Sequence, residues 1–227
     1  MTGKRFVGRA LIGLLCGVVI VVAGCETNEG RQAKVARKAV TSLEDTREEL
    51  VKADQEVNQA LAAMDQLAAQ PRDLKQAYRA FTTEVSDTSK QSQEAHERAE
   101  EMRERWQEYI ASWEREADRL ASAELRAGAT ERRETVRENY NRLRDVASEM
   151  QAAYEPFLKQ LRDIQRALSL DLTPAGVEAA KPAIETARQT GTQLKEQIDA
   201  FIDELDGVST RRAAQPTAPE SVADTEP

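Results

Sequence analysis

Aromatic side chains are scarce in this chain of 227 residues: two Trp, four Tyr and four Phe make up 4% of positions. A compact enzyme core of this length normally holds more large apolar groups. Glycine is as rare, with three between residues 31 and 206. Abundant Ala, Glu, Arg, Gln and Leu complete a composition that describes long helices rather than sheets. A mean hydropathy of −0.63 excludes a polytopic membrane protein. Basic excess is also lacking. The net charge is −8, and removal of residues 1–25, which hold Lys4, Arg5 and Arg9 but no acid, takes it to −11. Such a surface repels phosphate backbones, so nucleic acid is not an expected partner.

Histidine occurs once, as His96. A zinc protease needs two on one helical face and a di-iron bundle needs two Glu-x-x-His pairs, so no metal is expected. His96 reads as a solvated helix residue. Phosphate-binding glycine loops and GxSxG elbows are missing as well. The carboxylates come interleaved with arginines, as in Glu97, Arg98, Glu100, Glu101, Arg103, Glu104 and Arg105. At helical spacing these form a solvated face of i,i+4 pairs. No catalytic residue and no cofactor are expected.

Only two cysteines exist: Cys16 lies inside the one long apolar segment and Cys25 directly behind it. Residues 10–23 read ALIGLLCGVVIVVA behind Lys4, Arg5 and Arg9. Fourteen apolar or small residues are too few for a spanning helix, which needs about 20, and suit the core of a signal peptide. The segment ends in Val22-Ala23-Gly24-Cys25 and turns polar at Glu26. That tetrapeptide resembles the lipobox of bacterial lipoproteins. The resemblance implies cleavage between Gly24 and Cys25 and lipid attachment to Cys25, which makes a membrane the expected partner. Glu26 rather than Asp after the cysteine implies, by the same resemblance, the periplasmic face of an outer membrane. A covalent wall tether through a terminal lysine is not expected of a chain ending in Pro227.

Residues 25–33 read as the lipidated cysteine and a polar tether, and 34–206 as an all-α, elongated antiparallel bundle or coiled coil of about four long helices. Residues 207–227 read as a disordered acidic tail. In the first run Leu43, Leu50, Val57 and Met64 recur every seven residues, with Ala53, Ala60 and Leu67 three further on. Gln70-Pro71 ends it. The second run carries Tyr78, Val85, Ser92, Ala99, Trp106, Trp113 and Leu120 at sevens, with Phe81, Thr88, Ala95, Met102 and Tyr109 three further on. Its layers between Ser86 and Glu94 are polar or small and form the weakest part of the seam. Gly128 reads as the stop.

The third run extends from Val136 to Leu168 with Pro156 inside it, where a kink is expected near residues 152–156. Thr173 and Pro174 signal the next helix start, with Leu172 stapled onto Val177. The last run passes through Ile184, Leu194 and Phe201 to Leu205, and Gly207 closes it. Turns at 70 and 128 let all four helices overlap only around residues 86–107 of the second, in a bundle about 80 Å long. The seam left uncovered points to a homo-oligomer. Trp106, Tyr109 and Trp113 share one seam, which implies aromatic core; the sharper expectation is that this patch meets a membrane or a partner.

The stretches Arg105-Trp106-Gln107-Glu108-Tyr109, Ala123 to Arg126, Met150 to Leu158 and Ala200-Phe201-Ile202 carry a further likeness. They resemble a bacterial family of secreted or lipid-anchored coiled-coil proteins catalogued as domain of unknown function 2959, over about residues 34–206. The resemblance implies the helical fold and no known activity. A lipid-anchored spacer, scaffold or adaptor with protein partners is the functional expectation, with a periplasmic holdase as the alternative.

Overall fold

The computed structural model describes residues 28–69 and 72–213. The expected signal peptide, the lipid site at Cys25 and the tail beyond 213 lie outside them. Four α-helices follow one another: α1 Asn28–Ala68, α2 Leu74–Ala117, α3 Ala123–Leu170 and α4 Pro174–Ala213. No strand occurs among the described residues. None of these helices is long and apolar enough to cross a membrane.

Each helix packs against its neighbours in sequence, and α1 closes the ring against α4. Cross-helix pairs set an antiparallel register throughout. Trp106 Nε1 donates to Ala39 O at 3.1 Å and Thr88 Oγ1 to Glu56 O at 3.4 Å between α1 and α2. Arg47 meets Asp206 at 2.7 Å and Lys195 meets Asp54 at 3.2 Å between α1 and α4. The closest contact is within the hairpins α1–α2 and α3–α4; the interface between α2 and α3 is looser.

The heptad reading finds the core. Leu43, Leu50, Ala53, Val57, Ala60, Met64 and Leu67 are buried on α1, as are Phe81, Val85, Ala95 and Met102 on α2. Leu143, Phe157, Leu161 and Ile164 on α3 meet Ile184, Leu194, Ile198 and Phe201 on α4 in the same core. A fully buried Leu, Ile or Phe is worth about 1.5–3 kcal/mol each, so this seam, and not helix propensity, holds the bundle.

The ends differ from expectation in three places. Helix α1 begins at Asn28, so six residues of the expected tether are helical. Val35 and Ala36 pack partly on the core and hold these first turns in place. The second turn lies at residues 118–122 instead of 128, because Ser122 caps α3, its side chain accepting from Leu125 N at 3.3 Å. Arg126 also donates to Leu120 O at 2.7 Å across that turn. Gly128 is therefore inside α3. Gly207 likewise does not end α4, which runs to Ala213 because Val208 adds one more buried layer.

The overlap is also larger than expected. Tyr78 donates to Gln165 O at 2.9 Å, so α3 reaches to residue 78 of α2 instead of 86. Helices of 40 to 48 residues give a rod roughly 60–70 Å long rather than 80 Å. Helix α3 runs through Pro156 unbroken, with that residue exposed, and α4 runs through Pro182. The cap expected at Thr173 is present, accepting from Gly176 N at 3.1 Å.

Candidate functional site

Small residues on α2 open the looser interface. Its column Phe81, Thr88, Ala95, Met102 and Tyr109 is buried, whereas Ser92, Ala99 and Trp113 of the parallel column are half-buried. Where Ser89, Ser92 and Ala99 face Ala147, Tyr154 and Leu158 of α3, the two helices leave a groove of about 600 Å³. Met102, Met150 and Leu158 contribute its apolar lining, Arg103, Arg144 and Arg162 its positive charge and His96 an imidazole, with Glu100 and Glu155 opposing. A second cavity of about 720 Å³ continues along α2 and α3 toward Tyr78 and Ser169. Arg162 bridges the junction by donating to Ser89 Oγ at 2.6 Å. Gln107 Nε2 donates to Tyr140 Oη at 2.9 Å near the other end.

This groove was half legible. Of the polar and small layers from Ser86 to Glu94, Ser89, Ser92 and Gln93 line it while Thr88 and Gln91 face α1, and His96, read as a solvated residue, lines it half-buried. A run of Ser and Ala at seven-residue spacing was the available signal. The arrangement offers apolar contact, hydroxyls and charge. Among the described residues no hydrogen bond joins His96 to a serine or a carboxylate. Tyr154 is buried with its hydroxyl unpartnered. Burial, helped by the negative field of Asp54 and Glu56, pushes its phenol well above the ordinary value. It stays neutral at any physiological pH.

The three aromatic residues singled out in the sequence are brought together. Trp106 and Tyr109 stand edge-on with ring centroids 6.1 Å apart at 90°, and Tyr109 and Trp113 at 6.1 Å and 88°. Trp106 is 2% exposed and Tyr109 8%, so both rings belong to the core. Trp113 is half-buried and is the member of the set that presents surface.

Polar groups also occupy the α1–α2 seam. Thr46 is buried and donates to Ser42 O at 2.7 Å; Gln91 donates to the Glu49 carboxylate and, at 3.4 Å, to Glu49 O. Burial opposes charge on Glu49, but hydrogen bonds from Lys52 and Gln91 outweigh it and hold the carboxyl below its ordinary range. Glu84 is the opposite case. Burial, then the like charges of Glu56 and Asp87, push its carboxyl up. Among the described residues no group of three or more His, Cys, Asp or Glu side chains could hold a metal ion.

No curated protein and no solved structure matches the chain. A family profile does, over residues 31–212, which is the whole bundle apart from the first and last turn residues. The chain belongs to the family described as Protein of unknown function (DUF2959).

Proposed function

We propose that the protein is a lipid-anchored rod of the bacterial cell envelope, attached through Cys25 and acting as a non-catalytic spacer, scaffold or adaptor. The carrying observation is the start of α1 at Asn28, three residues after Cys25. A lipid on that cysteine would be coupled to a rigid helix through a link of at most about 10 Å. The junction between α1 and α2 would then be held at the far end of a 41-residue helix, roughly 60 Å away. Several acyl chains on one residue anchor stably, each buried CH₂ contributing about 0.8 kcal/mol. Glu26 after the cysteine favours the periplasmic face of the outer membrane.

The α2–α3 groove favours a second reading, a holdase that receives a client segment along its mixed lining of hydroxyls, charge and the edges of core side chains. Metabolic labelling with a clickable palmitate, compared with Cys25→Ser, tests the anchor. Photo-crosslinking in cells from position 70 and position 215 tests the role. A discrete heterologous band supports an adaptor, and self-crosslinks alone support a spacer. A smear of many clients, with suppressed aggregation of an unfolded protein in vitro, moves the assignment to the holdase. Absence of label on the wild-type chain overturns the anchor.

A further inference from the structure

The first sixteen residues of α1, 28–43, carry Arg31, Lys34, Arg37 and Lys38 against one acid, Glu29, on a chain whose net charge is −8. All four side chains are exposed, and all lie in the first three turns of α1. Acids resume along the same helix at Glu44, Asp45 and Glu48. Arg31 shares a pocket with Glu108 and Glu116 of α2, but positive charge in the first turn of a helix opposes the helix dipole, so the dipole does not account for this placement. Nor does α4 cover it. Arg47 meets Asp206, after which α4 has seven residues left and α1 nineteen, so α1 runs on by about twelve.

An independent feature marks the same end of the bundle. Leu125, in the first turn of α3, is 62% exposed, one of two large apolar side chains so exposed among the described residues. The register explains why. Glu114 meets Arg137 at 2.7 Å three residues before α2 ends, and fourteen residues of α3 precede Arg137. The first turns of α3 therefore project past the end of α2, and residues 121–127 are all exposed.

We infer that this end of the bundle docks on an anionic phospholipid surface, with Arg31, Lys34, Arg37 and Lys38 on headgroup phosphates and Leu125 at the boundary of headgroups and chains. The inference rests on the proposed attachment at Cys25, which holds this end against lipid, and it adds an orientation to it. Basic side chains draw the end of the rod to a negative surface, while the acidic remainder is repelled from that surface. The rod therefore stands away from the membrane instead of lying along it, and the far hairpin is presented outward.

The test uses the chain from residue 26 onward, which cannot be lipidated and whose buried core, Ala39 to Val208, is complete. Co-sedimentation is measured with vesicles of phosphatidylethanolamine and phosphatidylglycerol, and with vesicles of phosphatidylcholine alone. Binding is expected to the anionic vesicles only and to fall with salt. Each basic residue contributes roughly fivefold, so Arg31→Gln/Lys34→Gln/Arg37→Gln/Lys38→Gln lowers partition at least tenfold at unchanged helicity. Arg31→Lys/Arg37→Lys keeps it, and Leu125→Ser lowers it several-fold. Equal binding to both vesicle types, or a quadruple variant that binds like the parent, overturns the inference. Failure of the Cys25 anchor appears in the palmitate label instead and leaves the vesicle result standing.

Discussion

Gly191 of α4 lies under the ring of Phe157 of α3: a Cβ placed at 191 would stand 2.8 Å from Phe157 Cε2 and 2.8 Å from Leu61 Cδ2. Three helices therefore meet where one residue has no side chain. Gly191 continues the spacing of Ile184, Ala187, Leu194 and Ile198 and is itself a seam position. Its absence of volume is what lets a fully buried Phe157 fit.

Gly191→Ala is accordingly expected to destabilise. Alanine favours a helix by about 1 kcal/mol over glycine, but overpacking a closed core costs about 1–3 kcal/mol and neither ring nor helix can withdraw cheaply. Thermal melting should fall by several degrees. Phe157→Leu in the Gly191→Ala background should recover part of the loss, and a variant that melts above the parent would contradict the contact.

Two buried-edge carboxylates respond to pH with opposite sign. Glu49 has a lowered pKa in the fold, so its contribution is present above its unfolded value and is lost as pH falls through the lowered one. Glu84 has a raised pKa, so protonation favours the fold: the favourable term is present below the unfolded value and is lost as pH rises through the raised one. Glu84→Gln should therefore raise the melting temperature at about pH 7 and have no benefit near pH 3, where the parent is already protonated. Glu49→Gln should lower it at about pH 7, with the difference shrinking in acid. Melting curves for both variants at the two pH values decide the assignment.

Trp106 and Trp113 should separate energetically although they share a heptad position. Trp106 is 2% exposed and donates to Ala39 O, so Trp106→Ala removes a core ring and one hydrogen bond to a carbonyl that keeps its bond from Ser42 Oγ. A loss of about 3–5 kcal/mol is expected. Trp113→Ala, at a half-buried ring held edge-on by Tyr109, should lose clearly less, about 1–2 kcal/mol. Denaturant titration measures both. The fluorescence of Trp113→Phe, with Trp106 as sole emitter, should be blue-shifted; a red emission would place Trp106 in water.

Much of this fold was legible because a bundle is written in one periodicity. Leu43 through Leu67 and Val136 through Leu168 announce a buried stripe without any long-range information. What resisted reading depended on contacts between helices. Gly191 carries no apolar signal, so its place in the seam emerges only when Phe157 arrives from α3. The groove beside Ser92 and Ala99 required knowing that this column faces α3, and although the shared seam already implied aromatic core, the difference between buried Trp106 and half-buried Trp113 emerges only from the packing. Helix ends were the least legible, since Gly128 and Gly207 look like stops while a serine cap and a buried valine decide the boundaries.

Gly128 gives the sharpest test of that boundary. As a turn residue it would tolerate substitution poorly, since turns that use glycine need backbone angles closed to other residues. Inside α3 it has no such role: a Cβ there meets nothing within 4 Å. Gly128→Ala should then stabilise by about 0.4–1 kcal/mol, through helix propensity and a less flexible unfolded chain. Ser122→Ala should do the reverse. It removes the acceptor for Leu125 N and should lose about 1 kcal/mol. Chemical denaturation of the pair settles the matter by sign alone. A stabilised Gly128→Ala with a destabilised Ser122→Ala fixes the turn at residues 118–122, and the opposite signs would move it back to 128 and shorten α3 by a turn and a half.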